Sequence, residues 1–488
     1  MAVNVDTYLG HKGYTVLKET ISIKEHNNIR DELMVRPYIP KSPIVCDPFP
    51  IFRESHKKFY IPRFYGENMY GIVNNNKLTF AENINLDFKG DLYDYQKNII
   101  SKYINHSVTN KNGGGLLEIP CGRGKTVMAL KIIQEIKLKT IVIVHKGFLL
   151  NQWIERIQQF LPDARIGKIQ GPIFDIEDKD IVIGMLQSLS MKDYDPTLFK
   201  SFGLTIVDEC HHISAEVFVR SLFQVVTPYV LGLSATMQRK DGLTKVFKLF
   251  LGEIIYTEKR ACDDNVLVKA IDYEVDDDEY NEIKYDYRGN PVYSTMISKL
   301  CNFNNRSDFI IDVLTKILEE NNNQQIMIIA HNKTLLSYLY KAIEYKNIAS
   351  VGYYIGGMKE KDLKLSESKK IIIATYAMAA EALDIKTLTT LIMATPKTDV
   401  TQAVGRILRT KHNQPLIIDI VDQHGIFKNQ WYKRVAFYKK NKYKIIHTNN
   451  TEFKNNNWTT VYDPDVKKNK GPTKSEKKTK AKECLIQI

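Results

Sequence analysis

Gly122, Gly124, Lys125 and Thr126 fall together in the stretch LEIPCGRGKTV, Leu117 to Val127. Residues of those types in that order make a phosphate cradle. Two glycines let the backbone turn tightly, so that successive N–H groups face phosphate oxygens with the positive end of a following helix behind them. Lys125 brings a point charge for β and γ phosphates, and Thr126 brings a hydroxyl for Mg²⁺. Pro120, Cys121, Gly122, Arg123, Gly124, Lys125 and Thr126 therefore form the candidate ATP-holding set. Ile119 stands where the usual P-loop pattern begins with glycine, which leaves a tighter loop. Such a loop needs a buried strand before it, Gly115 to Ile119, and a helix opening at Lys125 or Thr126 after it.

A second set of reactive types follows at Leu204 to His211, LTIVDECH, an apolar run ending in two carboxylates. If that run is a strand ending beside the phosphate loop, Asp208 holds Mg²⁺ and Glu209 polarises the water that attacks the γ-phosphate. Cys210, His211 and His212 carry zinc-ligand chemistry, but no other ligand cluster accompanies them, so a zinc site is not expected. A third set is Gln402, Arg406 and Arg409 in QAVGRILR, spaced at i, i+4 and i+7. That spacing predicts one helix face, and arginines there suit the charge that accumulates on a transferring phosphoryl group.

The elements that must position these groups are legible in the apolar pattern. Strand-like runs recur at Gly115 to Ile119, Thr140 to His145, Asp180 to Gly184, Leu204 to Val207 and Tyr229 to Leu233, with helical stretches between them. Continuous apolar strands alternating with helices predict a parallel sheet covered on both faces. The same alternation resumes at Gln325 to Ala330, Val351 to Ile355, Lys370 to Thr375, Thr389 to Ala394 and Pro415 to Ile420, without a second phosphate loop. The fold class expected is α/β, two tandem parallel-sheet lobes with a small N-terminal accessory domain and a basic C-terminal tail. The boundaries read as 1–90 accessory, 91–260 ATP-binding lobe, 261–304 linker or edge, 305–448 second lobe and 449–488 flexible tail. In the accessory region Lys57, Lys58, Tyr60, Arg63, Phe64 and Tyr65 are candidates for gripping nucleic acid, the alternative being that these aromatics beside proline build the small domain's core.

Composition narrows the class. The chain has 488 residues, 43% hydrophobic and 26% charged, as in a globular protein. No apolar run has the length of a membrane span, and Met1 to Gly10 lacks signal-peptide character. A cytosolic, nuclear or viral-factory location is the expectation, with no membrane partner. Six cysteines form no CxxC pair, so neither a zinc framework nor a disulfide framework is indicated. The net charge of +13 suggests an anionic partner, and Val466 to Ile488 alone carries eight lysines against two glutamates.

Taken in order, the motifs resemble those of the superfamily 2 helicases and translocases over about residues 91–422. Gln96 matches the adenine-side glutamine, PCGRGKT motif I, the stretch 141–153 motif Ia, 184–189 motif Ib and DECH motif II. Ser234, Ala235 and Thr236 match motif III, the stretch 374–385 with Thr375 and Asp384 motif V, and QAVGRILR motif VI. The resemblance implies two RecA-like lobes with ATP and Mg²⁺ in their cleft and nucleic acid across the top. It assigns catalysis to Glu209, Lys125, Gln402, Arg406 and Arg409, and coupling to Ser234, Ala235, Thr236, Arg239, Asp241, Thr375 and Asp384. PCGxGK, DECH and the triplet Arg239-Lys240-Asp241 resemble the XPB-like branch, including the transcript-release helicases of poxviruses and other large DNA viruses. XPB itself has RED at the triplet, and many relatives have glycine where Ala382 stands. The branch implies a monomeric motor on DNA, acting by unwinding or remodelling, with an RNA polymerase or transcription factors as further partners. An RNA helicase, or an ATP-gated clamp within a transcription complex, are the alternative readings.

Overall fold

The computed structural model describes residues 5–38, 46–73, 75–78, 81–120, 122–210, 215–237, 242–258, 265–381, 385–408 and 412–466. The chain divides into two compact units, Met1–Arg260 and Ala261–Ile488.

In the first unit an eight-stranded sheet runs, in spatial order, Ile173–Asp175, Ile166–Gln170, Ile181–Met185, Thr140–Val144, Leu204–Asp208, Tyr229–Ser234, Gly114–Glu118 and Ile254–Thr257. Every pairing is parallel except that of the first two strands. Strand side chains alternate between faces, and the two cores of the unit follow from that. Val142, Val144, Leu117, Leu204 and Ile206 pack with Ile99, Met128, Ile132 and Trp153 on one side. Ile141, Ile143, Leu116 and Val207 pack with Phe218, Phe247 and Leu251 on the other.

This second core also contains Tyr14, Val16, Ile29, Phe59, Ile61 and Tyr65. The N-terminal residues therefore do not close a core of their own. Their four-stranded antiparallel sheet, in the order Thr7–Gly10, Gly13–Leu17, Lys58–Ile61 and Arg53–Glu54, shares one with the parallel sheet. The six residues read above as a nucleic-acid grip divide accordingly. Tyr65 is buried with its hydroxyl donating to Glu32 (2.8 Å), and Arg63 pairs with Glu67 and donates to the Pro228 carbonyl (2.7 Å). Phe64 and Tyr60, both half-buried, pack against the shared core, whereas Lys57 is exposed and Lys58 half-exposed.

The second unit holds another eight-stranded sheet, in the order Val351–Tyr354, Ile371–Thr375, Gln325–Ala330, Leu388–Met393, Leu416–Asp422, Leu267–Tyr273, Lys444–Asn449 and Thr459–Tyr462. Two readings of the sequence are corrected here. Segment 261–304 is not a linker: Leu267–Tyr273 is an interior strand, parallel to both neighbours. Residues after Asn449 do not all form a tail, because Thr459–Tyr462 pairs antiparallel with Lys444–Asn449 and completes the sheet. Leu267–Tyr273 carries polar residues between its apolar ones and Thr459–Tyr462 opens with two threonines, which hides both from a search for continuous apolar runs. The lysine-rich segment 467–488 lies outside the described residues.

Candidate active site

Three neighbouring parallel strands bring the reactive residues to one sheet edge. Leu204–Asp208 pairs with Tyr229–Ser234, which pairs with Gly114–Glu118, and the registers Asp208↔Leu233 and Ser234↔Glu118 bring their C-terminal ends nearly level. Ligands of open α/β sheets bind outside these carboxyl ends. Residues 83 positions apart in sequence thus meet with a single strand between them in space.

The phosphate loop leaves this edge after Glu118 and enters the helix Lys125–Ile136. Gly122 and Gly124 hold φ of 81° and 78°, the left-handed region that side chains disfavour. A Cβ on Gly124 would come within 2.4 Å of Gln96 Nε2, so a side chain there would displace the end of that glutamine. Gln96 caps its own helix, its Oε1 accepting from Tyr93 N (3.0 Å), while Nε2 donates to the Arg123 carbonyl (3.3 Å). The Tyr95 hydroxyl donates to the same carbonyl at 3.3 Å. The Arg123 guanidinium lies 3.9 Å from the Tyr95 ring centre and pairs with Glu258 at 2.5 Å. The loop is thereby clamped by two flanking elements. Cys121 lies outside the described residues.

Lys125 Nζ is 2.9 Å from Glu209 Oε1, and both side chains are largely buried. Asp208 is buried; its Oδ2 accepts from Trp153 Nε1 (2.8 Å) and its Oδ1 from Glu209 N (2.9 Å). Burial, with the Glu209 carboxylate beside it, pushes the Asp208 carboxyl up to about 6 although Lys125 and the Trp153 hydrogen bond act the other way. Glu209 has φ 48°, a left-handed conformation for a residue with a side chain. Such backbone strain persists where surrounding structure enforces it, commonly at active sites.

The residues present fit a nucleoside triphosphate with a divalent cation. Left-handed glycines open the loop toward the helix N-terminus, and the Thr126 hydroxyl makes no hydrogen bond among the described residues. Thr126 Oγ1 and the Asp208 carboxylate are hard oxygen donors of the kind Mg²⁺ takes.

Ser234 Oγ donates to Thr236 O (2.6 Å) and accepts from Thr236 N (3.2 Å), which folds Ser234-Ala235-Thr236 back on itself at its strand end. Arg239, Lys240 and Asp241 lie outside the described residues, as do His211 and His212.

In the second unit Gln402 and Arg406 lie on the helix Thr401–Arg406. That helix stops at Arg406, so the single face expected over 402–409 is not built as a continuous helix. Arg406 is buried, its Nε donating to the Ala379 carbonyl at 2.8 Å. Thr375 ends its strand and accepts from Met378 N (3.5 Å). Arg409, Ala382 and Asp384 lie outside the described residues.

Four residues at the first unit's edge had no role assigned from sequence: Trp153, Tyr95, Glu258 and Glu118. Glu118 ties the phosphate-loop strand to its neighbours, accepting from Met237 N (2.9 Å) and Thr257 Oγ1 (3.1 Å). Trp153 closes the stretch 141–153 and Glu118 lies within LEIPCGRGKTV, but neither motif named a role for that residue. Tyr95 stands one residue before Gln96.

Comparisons with known proteins agree with this geometry. Residues 89–239 match the family "Type III restriction enzyme, res subunit", and residues 310–411 match "Helicase conserved C-terminal domain". The chain is 34% identical over 459 residues to "Putative ATP-dependent RNA helicase L396" of Acanthamoeba polyphaga mimivirus, covering 91% of this chain and 87% of that protein. It is 25% identical to "DNA 3'-5' translocase XPB2" of Sulfurisphaera tokodaii, over 68% of this chain and 82% of that one. Among solved structures, S. cerevisiae Dbp5 bound to RNA and ADP BeF3 matches with a TM-score of 0.51 at 12% identity, covering 73% of this chain and 90% of that chain. That likeness concerns the fold, and it identifies the two parallel-sheet units as RecA-like lobes in tandem along the chain.

Proposed function

The chain belongs to the superfamily 2 helicases and is an ATP hydrolase, and we propose that its track is DNA, which it unwinds or remodels. The observation that carries the hydrolytic part is the cluster of Lys125, Asp208 and Glu209 at one sheet edge, with Lys125 Nζ 2.9 Å from Glu209. Backbone N–H groups of the loop and Lys125 would hold the phosphates, and Thr126 and Asp208 would hold Mg²⁺. The cation supplies charge neutralisation on the phosphoryl group. Trp153 and the Glu209 amide each donate to one Asp208 oxygen and so orient the carboxylate at the sheet edge. Glu209 orients the attacking water and accepts its proton, and its left-handed backbone sets the direction of the carboxylate. Gln402 and Arg406 are proposed as the second unit's contribution to hydrolysis, Arg409 with them. Ser234, Ala235, Thr236, Arg239, Asp241, Thr375 and Asp384 are proposed to couple hydrolysis to grip on the strand.

The XPB-like motif set supports DNA as the track. A second reading, RNA, is supported by the name of the mimivirus relative. Either track is compatible with work beside an RNA polymerase, including release of transcripts in viral transcription. Steady-state ATP hydrolysis by purified protein, alone and with single-stranded DNA, duplex DNA or RNA, separates the two, with Lys125→Ala as the blank. Stimulation by DNA that is lost in Lys125→Ala is the expected result. Stimulation by RNA alone would replace DNA with RNA as the track, and a wild type as inactive as Lys125→Ala on every polymer would overturn the motor reading.

A further inference from the structure

On one face of the N-terminal four-stranded sheet, Tyr8, Thr15, Tyr60 and Arg53 lie in one cross-strand row, paired directly with one another in that order, with Thr15 buried beneath the half-buried Tyr8 and Tyr60. Residues opposite each other in a ladder share a face, with strands spaced about 4.8 Å apart. Lysines crowd this row. Lys58 Nζ donates to the Tyr8 hydroxyl at 3.0 Å, Lys77 Nζ lies 3.8 Å from the Tyr8 ring centre, and Lys12 Nζ lies 5.6 Å from that of Tyr60. Lys77 is placed there by backbone pairing: Leu9 N donates to Asn75 O (3.2 Å) and Lys77 N to Leu9 O (2.8 Å).

None of Lys12, Lys58 and Lys77 forms an ion pair among the described residues. Asp6 lies near Lys58 and Asp195 near Lys12, each acting only electrostatically. The far end of the row behaves differently. Arg53 lies over the Phe223 ring at 5.2 Å and lines a cavity of about 430 Å³ that also holds Asp193 and the Glu216–Arg220 ion pair. Charges there are balanced within the protein. The unbalanced cations are the three lysines around Tyr8 and Tyr60.

We propose that this sheet face is a second nucleic-acid contact, outside the motor motifs, in which Lys12, Lys58 and Lys77 neutralise backbone phosphates and the Tyr8 and Tyr60 hydroxyls donate to phosphate oxygens. The proposal rests on the reading of the chain as a nucleic-acid motor. Phosphate, not a base, is the moiety recognised, because lysines already lie against both rings and contacts of this kind position a polymer without reading its sequence. An anionic polymer suits three ammonium groups that form no ion pair among the described residues, since each phosphate they neutralise releases a condensed counterion. The face thus anchors the track while the motor steps.

The test uses the full chain and measures binding to single-stranded DNA, duplex DNA and RNA by fluorescence anisotropy across a salt series. The variant is Lys12→Gln, Lys58→Gln and Lys77→Gln combined. A charge-matched control combines Lys341→Gln, Lys346→Gln and Lys361→Gln in the second unit. The expected result is an affinity loss of roughly 10-fold or more at moderate salt, and a salt dependence shallower by about 2 to 3 in log–log slope for three lost contacts. ATP hydrolysis without polymer should be unchanged, and its maximal rate with saturating polymer retained. Wild-type affinity and slope in the sheet-face variant would overturn the proposal, as would an equal loss in the control. An equal loss of binding to a polyglutamate probe would reassign the face to acidic protein segments. Absence of binding and of stimulation in the wild type would overturn the motor reading and this proposal together, whereas a stimulated wild type with an unaffected variant sinks only the proposal.

Discussion

Each unit has aspartates on a strand of its parallel sheet, and the two units treat them in opposite ways. In the first, Asp208 ends its strand with no cation bonded to it among the described residues, held by the Trp153 indole and the Glu209 amide. In the second, Asp422 ends Leu416–Asp422 and is gripped at both oxygens by Arg306, at 2.6 and 2.8 Å, with the Tyr280 hydroxyl at 2.8 Å. Three residues earlier, Asp419 is gripped likewise by Arg434, at 2.7 and 2.9 Å, and accepts from Tyr438 at 3.0 Å. Both pairs are buried. A carboxylate whose charge is met by a bidentate guanidinium is structural and cannot be offered to a ligand. One denied that partner keeps its oxygens for an incoming cation, and burial raises its carboxyl above the ordinary carboxylate value.

The largest effect expected from this contrast is on hydrolysis. Glu209→Gln keeps the shape of the side chain and removes the base, so ATP turnover should fall by about 10²- to 10⁴-fold. Its thermal midpoint should stay close to wild type. A midpoint that collapsed along with turnover would show that the Lys125–Glu209 pair is architecture like those of the second unit, and the contrast would be lost.

Arg306→Met should do the reverse. It leaves Asp422 buried and uncompensated, a change that costs about 3–5 kcal/mol. The double variant Arg306→Met with Asp422→Leu should recover a large part of that loss, because a well-packed apolar pair can replace a buried ion pair. Denaturant unfolding of both proteins checks this. Equal destabilisation in the single and double variants would mean that the Arg306 hydrogen bond to the Ala394 carbonyl, 2.8 Å, carries the interaction instead.

What could be read from the sequence follows the same division. The phosphate loop, DECH and the apolar strands Gln325–Ala330 and Thr140–Val144 announce themselves because their signals are local. The Arg–Asp pairs are not local: Arg306 and Asp422 are 116 positions apart, and nothing in the neighbourhood of either residue names the other. Strand Leu267–Tyr273 was missed for a related reason. It alternates buried and half-buried residues, with Lys269 pairing Glu320 and Asp272 pairing His447, so it does not look like the interior of a parallel sheet. At the active edge, Gln96 was legible as a family residue. Its work as a helix cap and a strut beneath Gly124 was visible only once the helix Asp94–Ile104 lay against the loop.

Trp153→Phe gives a finer test of how Asp208 is held. It removes the indole donor from a buried oxygen, and unsatisfied buried acceptors cost about 1–3 kcal/mol. A rise in the Mg²⁺ concentration needed for half-maximal hydrolysis, at nearly unchanged maximal rate, is the expected signature. If only stability moved and the Mg²⁺ dependence did not, Trp153 would be packing alone.

The smallest effect concerns pH and the second unit. His331 follows the strand Gln325–Ala330, close to Tyr293 and Tyr376, with Nδ1 2.9 Å from the Thr395 hydroxyl. Burial, reinforced by Lys397, lowers it to about 4. The folded protein therefore favours the neutral ring. The resulting stability is fully present above the ordinary histidine value of about 6.5 and is lost as pH falls from there toward 4. Replacing His331 with Gln should flatten that part of the stability-against-pH curve while leaving the curve above pH 7 unchanged in slope. An unaltered acid limb in His331→Gln would mean that the ring is hydrated in solution. The edge of the second unit would then be open to protons and water, unlike its sealed Arg–Asp interior.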